Sequence, residues 1–320
     1  IANNYDPLAC FDDGSCTYNY GCTDSTAANY DPTATMDDGS CIYCNVSSVD
    51  TLNYTGSMQT YVVPAGVTSV TIQTYGASGG DASYCSAIGG SGTIMQGDFS
   101  VTGGDILNIL VGGQGGIGEN TVGDQDGGGG GGTFLVDNSG NPLIVSGGGG
   151  GATSNIGNCG SDLSGMDASI DSSGTTSANG LGLGGYLGNG GQTYANYGGA
   201  GGGFFTDGIP ASSVIAVGQA YINGGAGGLD NGSLGADGGY GGGGAGWSNG
   251  GYGGGGGGYS GGGASGNYPY AGGGGGGSWN TGNNQQNSVG NIGNGLVIIS
   301  YIIQNTTGCT DPLATNYDSL

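Results

Sequence analysis

The sequence predicts an all-β fold: a jelly-roll-like β-sandwich with a bundle of polyglycine-II helices, and small disulfide- and calcium-type repeats at both ends. Three observations lead to this fold class. Stretches of alternating apolar and polar residues mark strands, 86 of the 320 residues are glycine, and a motif rich in cysteine and aspartate occurs at both ends. The expected domains are a partial repeat over 1–20, a complete repeat over 21–44, a glycine-rich domain over 45–305 and a partial repeat over 306–320.

The complete repeat reads GCTDSTAANYDPTATMDDGSCIY, residues 21–43. Residues 1–18 match its second part through Asn-Tyr-Asp-Pro and Asp-Asp-Gly-Ser-Cys, and residues 308–320 match its first part. Three aligned copies indicate modular construction. Either the chain is one window of a longer polyprotein, or the C-terminal half-repeat of one subunit completes the N-terminal half-repeat of the next. Both arrangements give the head-to-tail string of units that a filament requires.

Each copy carries the residues of a disulfide-closed loop with clustered carboxylates. Cys22 and Cys41 bracket the complete copy and are expected to pair. Tight-turn chemistry would explain the acidic residues without a metal, because Asp, Gly, Ser and Pro favour turns. Clustered hard oxygen ligands followed by glycine also suit Ca²⁺, and the candidate ligands are Asp6, Asp12, Asp13, Asp31, Asp37 and Asp38.

Cysteine usage points to an oxidising, extracellular compartment. The eight cysteines come without histidine and without a pair of Cys-X-X-Cys motifs, which favours disulfides over zinc. Three further expectations concern the remaining cysteines. Cys85 pairs with Cys159 in the central domain, a bridge from Cys10 to Cys44 staples adjacent repeats, and Cys16 and Cys309 belong to half-repeats whose other cysteine is missing from the sequence.

Strand patterns begin the central domain. Residues 58–76 alternate apolar with polar side chains around a Pro-Ala-Gly turn, and residues 92–116 give two more strands around a Gly-Gly-Asp turn. A hairpin is expected over 132–151, because Asn138-Ser139-Gly140-Asn141 is rich in turn formers. The last strand lies in GNGLVIISYII, residues 293–303. The common pattern of the first and last strands predicts a sandwich that brings the ends of the domain together.

The glycine tracts between these strands are of similar length, five to nine residues. A polyglycine-II helix has three residues per turn and no internal hydrogen bonds, so neighbouring helices can bond to one another only where no Cβ intervenes. The alternative is that the tracts are flexible spacers. Aromatic residues at the tract edges, Phe204, Tyr240, Trp247, Tyr252, Tyr259 and Trp279, are expected to seal the core rather than bind a ligand. The tracts are 127–132, 147–151, 198–203, 224–228, 238–246, 250–258 and 272–277.

The charge balance excludes several classes of function. The chain has no lysine, arginine or histidine and a formal net charge of −23. Nothing can neutralise phosphate, which excludes nucleic-acid binding, and no apolar run is long enough for membrane insertion. Mechanisms that need Ser–His, Cys–His, a lysine Schiff base or an arginine clamp are excluded too. We therefore expect no enzyme; a carboxylate-only glycosidase is the one catalytic alternative.

Three segments of the central domain carry a family resemblance. YVVPAGVTSVTIQTYGASGG, GGGGGGTFL and AGGGGGGSWNTGNNQ…GNGLVIISY resemble the glycine-rich extracellular domain family, found in the anaplastic lymphoma kinase and leukocyte tyrosine kinase receptors and in bacterial secreted proteins. The resemblance covers roughly residues 52–304 and implies a β-sandwich with polyglycine helices. The end repeats resemble the Cys- and Asp-rich repeats of giant surface adhesins of Bacteroidetes.

These features predict a structural repeating unit of an extracellular filament or long cell-surface adhesin, with calcium as a structural ion and neighbouring copies as partners. The alternative is a secreted binding module that recognises glycans, cell surfaces or ice. Short Asp-Ser/Thr-apolar patterns resemble the O-glycosylation motif of Bacteroidetes, which makes Ser25, Thr51 and Ser319 candidate glycosylation sites.

Overall fold

The structure is a computed structural model, and its contacts divide the chain into two compact units. One unit comprises Ile1–Ser48, Ala65–Val67 and Tyr301–Leu320, and the other comprises Val49–Pro64 and Thr68–Ser300. The residues described are 4, 7, 8, 10, 14–25, 27–42, 45–82, 85–118, 126–154, 163–194, 198–210, 216–230, 235–247, 251–266 and 270–304.

Regular secondary structure in these residues is almost entirely β, which confirms the predicted all-β class. One short 3₁₀ helix, Tyr221–Asn223, accompanies the strands. The strands are β1 (Tyr20–Gly21), β2 (Met36–Asp37), β3 (Asn45–Asn53), β4 (Gln59–Val62), β5 (Ser69–Tyr75), β6 (Gly92–Ser100), β7 (Ile106–Leu110), β8 (Thr133–Val136), β9 (Pro142–Ser146), β10 (Trp279–Asn280), β11 (Asn283–Asn291) and β12 (Leu296–Gln304).

Two five-stranded antiparallel sheets form the framework. The first has the order β10-β9-β8-β7-β4, and the second has the order β11-β6-β5-β12-β3. β5 and β6 of the second sheet contact β8 and β9 of the first, as in a β-sandwich. Apolar side chains on the facing strands are buried because the alternating pattern directs one face of each sheet inward; among them are Ile72, Met95, Leu135 and Ile144.

Hydroxyl groups also lie between the two sheets. The hydroxyls of Thr74 on β5 and Ser146 on β9 are 2.6 Å apart, and the Ser146 hydroxyl also donates to the Thr74 carbonyl at 2.8 Å. Thr93 on β6 and Ser278 form a second buried hydroxyl pair at 2.8 Å. These bonds satisfy polar groups that would otherwise be costly to bury. They also hold the facing parts of the sandwich in one relative position.

The glycine tracts pack beside the sheets and bond to one another with a period of three. The N–H groups of residues 254 and 257 donate to tract 127–132, those of 255 and 258 to tract 198–203, and those of 256 and 259 to tract 272–277. Each step of three along the donor tract advances the acceptor by three residues, because the bonds are Gly254→Gly127, Gly257→Gly130, Gly255→Gly199, Gly258→Gly202, Gly256→Gly274 and Tyr259→Gly277.

A second tract follows the same rule. The N–H groups of residues 127 and 130 donate to carbonyls at 152 and 149, those of 128 and 131 to 116 and 113, and those of 129 and 132 to 244 and 241. Here the acceptor retreats by three residues at each step, so these neighbours run antiparallel to the donor. We call the interlocked tracts the glycine lattice; its members are 112–116, 127–132, 147–152, 198–203, 238–246, 253–258 and 272–277.

Carbonyl oxygens of neighbouring tracts occupy the space where side chains would stand. A Cβ at Gly256 would collide with the carbonyl oxygen of Gly148, and one at Gly129 would collide with that of Gly255. The alanines of the lattice are Ala152, Ala200 and Ala245, and all three are buried. Glycine is therefore required in most of the lattice by close approach of backbones.

Candidate functional site

The aromatic residues at the tract edges form a buried cluster. Phe204 stacks on Tyr221 with ring centroids 5.0 Å apart, and Tyr259 stacks on Trp279 at 4.6 Å. Phe134 of β8 lies 5.0 Å from Tyr221. The members are Leu110, Phe134, Val136, Val145, Phe204, Tyr221 and Tyr259, with Tyr240 and Trp279 packed against them.

This placement confirms the core interpretation for most of the predicted residues. The rings pack against side chains of the first sheet, which leaves no stacking platform at Phe204 or Tyr259. Burial, followed by the neighbouring Tyr240, raises the pKa of Tyr221 to about 12. The Tyr221 hydroxyl thus stays protonated to a higher pH than the hydroxyl of an ordinary tyrosine. Tyr252 is buried against Tyr270, and Trp247, half-buried, pairs with Tyr252 through an isolated bridge.

The complete repeat is closed by its predicted disulfide. Cys22 and Cys41 are bonded, with their Cα atoms 4.7 Å apart. Cys22 and Ala27 are buried, and Asn29 ties the two halves of the loop by donating to the Ser40 carbonyl at 2.7 Å and accepting from the Ile42 N–H at 2.6 Å. So small a unit depends on the bridge because it has few apolar side chains to bury.

The candidate calcium ligands of this repeat form turns. Asp31 accepts from the hydroxyl and N–H of Thr33 at 2.7 and 2.8 Å, and these bonds hold the pKa of Asp31 below its usual range. Asp37 accepts from the Gly39 N–H at 3.1 Å. Bonds from the hydroxyl and N–H of Ser40 lower the pKa of Asp38 in the same way.

The turn interpretation thus accounts for the three carboxylates that are described. Within the described ranges, no three acidic, cysteine or histidine side chains come together as a metal site. Asp6, Asp12 and Asp13 of the first repeat lie outside those ranges. Calcium therefore remains a prediction.

The other cysteines divide into three groups. Cys10 and Cys16 are exposed free thiols, so the expected bridge from Cys10 to Cys44 is not formed. The Cys10 Sγ lies 3.9 Å from the Leu8 carbonyl. Cys85 is disulfide-bonded. The predicted partner Cys159 lies outside the described residues, as do Cys44 and Cys309.

Two of the three candidate glycosylation sites are accessible. Ser25 and Thr51 are exposed, whereas Ser319 lies outside the described residues. A glycosylating enzyme needs an exposed hydroxyl, so both residues remain candidate O-glycosylation sites.

Two polar features escaped the sequence analysis. Asp126 is fully buried and accepts from the Thr153 hydroxyl and from the Ser154 N–H at 3.3 Å, tying two parts of the chain together. β11 is a nine-residue strand whose first eight residues are exposed. Its sequence, NNQQNSVGN, has no hydrophobic alternation, which is why pattern analysis passed over it.

A polar row crosses the outer face of the second sheet. Gln73 lies opposite Gln96, and Gln96 lies opposite Gln286, so the three amides share one face. Beside them Asp98 accepts from the Thr71 hydroxyl at 2.6 Å and from the Asn284 amide at 2.8 Å. These two bonds lower the pKa of Asp98, and the carboxylate stays ionised.

Comparison with models of known protein families found no match for this chain, and comparison with curated proteins found none. In the part of the chain that the structure describes, no helix combines the length and the apolar character needed to cross a bilayer.

Proposed function

We propose that this chain is a structural repeating unit of an extracellular filament or long cell-surface adhesin, with no catalytic role. The observation that carries the proposal is the glycine lattice. Its interior is backbone bonded to backbone, and at most positions a side chain would collide with a neighbouring carbonyl. Such an interior supports a rigid domain, since most of it cannot rearrange without breaking hydrogen bonds.

We infer that the lattice tracts are polyglycine-II helices. The period of three in their hydrogen bonds supports this, because a helix with three residues per turn presents every third N–H to the same neighbour. The jelly-roll-like order of the sandwich and the kinship with glycine-rich extracellular domains remain hypotheses of the same kind.

The repeats would act as joints between successive glycine-rich domains. Cys16 occupies the position in its copy that Cys41 occupies in the complete repeat, and it is an exposed free thiol. We infer that it pairs with a cysteine of a neighbouring Gly-Cys-Thr-Asp half-repeat, of the type at residues 308–311. Two thiols would lose two protons and two electrons to a disulfide oxidant, which is reduced to two thiols.

Calcium would stiffen these joints by binding the carboxylate oxygens that are not engaged in turn hydrogen bonds. Isothermal titration of the chain with CaCl₂ tests this, with Asp37→Asn/Asp38→Asn as the variant. Binding that the variant loses would support a structural ion. Absence of any heat would leave turn formation as the sole role of these residues.

Electron microscopy of the native material, with and without reductant and EDTA, tests the filament itself. We expect fibres whose axial repeat matches one unit and which come apart when disulfides are reduced. Mass spectrometry of the unreduced material should find the peptide that contains Cys16 linked to one that contains a Gly-Cys-Thr-Asp motif. Isolated particles unaffected by either treatment would refute the proposal.

The polar row of Gln73, Gln96 and Gln286 favours the second candidate, a binding module for neutral glycans. Amide side chains both donate to and accept from hydroxyl groups, and all three are at least partly exposed. Binding to a panel of neutral glycans that Gln73→Ala/Gln96→Ala abolishes would support this role.

A further inference from the structure

In the part of the chain that the structure describes, β11 lies at one edge of the second sheet and pairs with β6 alone. Its other edge therefore presents backbone N–H and C=O groups of a nine-residue strand. Natural proteins protect such edges with lysine, proline, inward-pointing charges, bulges or very short strands. Residues 283–289, NNQQNSV, carry no charge and no proline, and the register irregularities of the strand leave Gln286 to Val289 regular between them.

The composition of this segment is that of strands that pair with their own kind. Seven residues without charge, proline or glycine, rich in asparagine and glutamine, share the low charge and the amide side chains of segments that stack as identical strands. In a chain with a formal net charge of −23, an uncharged run at a sheet edge is where two copies meet the least repulsion.

The local geometry defines the part of β11 that is able to pair. Irregularities in the register occur between Asn283 and Gln286 and between Val289 and Asn291, at Asn284 with φ 50° and Gly290 with φ 138°. Between them, Gln286 to Val289 run in regular register opposite Gln96 to Thr93.

Side-chain hydrogen bonds hold this edge in place. The Gln285 amide donates to the carbonyls of Asn280 and Gly282 at 2.9 and 3.0 Å. The Asn280 amide donates to the Asn287 side chain at 3.1 Å. The edge is thus already ordered, which lowers the entropy cost of accepting another strand.

We propose that β11 binds β11 of a second copy of this chain, antiparallel about a two-fold axis. The β11-containing sheet of one copy would then join the same sheet of the other copy, and the two would form one continuous sheet of ten strands. A two-fold axis makes the interface self-complementary and closed, with residues 286 and 288 of one copy opposite 288 and 286 of the other. This pairing goes beyond the head-to-tail joints, since it would link two filaments of head-to-tail units side by side.

Sedimentation equilibrium tests the pairing in a Cys10→Ser/Cys16→Ser background, where these two thiols cannot link copies. We expect a monomer–dimer equilibrium that strengthens between about 0.15 M and about 1 M NaCl, because salt screens the repulsion between acidic copies. Among the backbone amides of residues 286–289, hydrogen exchange should show protection rising with protein concentration for those that face away from β6.

The decisive variant is Gln286→Glu/Ser288→Asp, which places like charges opposite each other across the axis. We expect it to weaken dimerisation at least about tenfold, a change of about 1.4 kcal/mol. The matched control Gln219→Glu/Ser139→Asp adds the same charge at exposed positions away from β11 and should dimerise like the parent.

Three results would overturn the proposal. One is a monomer at every concentration and salt, a second is a dimer that both acidic variants weaken equally, and the third is an open-ended polymer, which a closed two-fold interface excludes. A thermal melt of each variant checks that the fold is intact. Because the background lacks Cys16, none of these results depends on the head-to-tail joint.

Discussion

Single glycines inside and outside the lattice differ sharply in what they tolerate, and the difference is steric. Gly256 faces the carbonyl oxygen of Gly148, whereas Gly140, in the β8–β9 hairpin turn with φ 86°, has open space where a Cβ would stand. Gly256→Ala must therefore displace a hydrogen-bonded backbone, while Gly140→Ala meets only the strain of a left-handed conformation.

We expect Gly256→Ala to lower the free energy of unfolding by about 3 kcal/mol and Gly140→Ala by about 1 kcal/mol. Chemical denaturation of the two variants and the parent measures both. Equal effects of the two substitutions would mean that Gly256 has room that the packing of the tracts does not show.

Tyr221 supplies a prediction on pH. Burial raises its pKa to about 12, against about 10 in an unfolded chain. Ionisation of the hydroxyl therefore favours the unfolded chain. The contribution of the neutral hydroxyl to stability is complete below about pH 10 and is lost as the pH rises towards about 12. Tyr221→Phe should remove roughly 2 kcal/mol of the alkaline loss of stability.

Denaturation of the parent and Tyr221→Phe across that pH range gives the difference directly. Tyr186→Phe, at a residue that is 63% exposed, is the control and should follow the parent. If Tyr221→Phe also follows the parent, the hydroxyl reaches water in the folded chain.

Several strands of the two sheets carry a hydrophobic pattern or adjoin a turn motif, and these were predictable from the sequence. β5, β6, β8, β9 and β12 were all predicted from alternation and turn residues, as was the Cys22–Cys41 loop. β11 was missed because its asparagines and glutamines lie at a solvent-exposed edge, where pairing to β6 rather than burial orders the strand.

The candidate sites were harder to predict for a related reason. Clustered aspartates satisfy both a turn and a calcium site in sequence, and only the positions of Thr33 and Ser40 reveal the turn bonds. Three-residue periodicity of hydrogen bonds leaves no trace in a run of identical glycines. The glycine tracts therefore predicted a packed array but not which tract neighbours which.

The Cys22–Cys41 bridge closes the complete repeat, and its contribution to stability can be measured. Cys22→Ala/Cys41→Ala removes the bridge over a sequence separation of 19 residues, and we expect the repeat to lose about 3 kcal/mol. Chymotrypsin should then cleave at Tyr20 and Tyr30 much faster than in the parent, because both side chains are already exposed and the backbone is no longer constrained.

Cleavage of residues 49–300 serves as the internal reference in the same digest. We expect it to be unchanged, since the lattice and sheets have their own hydrogen bonds. An unchanged rate at Tyr20 and Tyr30 would show that the turns hold the repeat without the bridge.

At the scale of the whole molecule, the side-chain charges are all of one sign. With no lysine, arginine or histidine and a net charge of −23, no side-chain salt bridge can form, and carboxylates can only repel one another. Hydrogen bonds relieve this locally: at Asp137, burial raises the pKa but bonds from Asn141, Ser139 and Gly140 outweigh it and lower the pKa. The long-range repulsion remains, and compact states suffer from it more than expanded ones.

Salt should therefore stabilise this protein without any specific ion. We expect the Tm to rise steadily between about 0.01 M and about 1 M NaCl, as the screening length falls from about 30 Å to about 3 Å. Repeating the melt near pH 3, where many carboxylates are protonated, should flatten the dependence. A Tm that falls with NaCl would contradict self-repulsion, and a rise with CaCl₂ alone would assign the stabilisation to a bound cation instead.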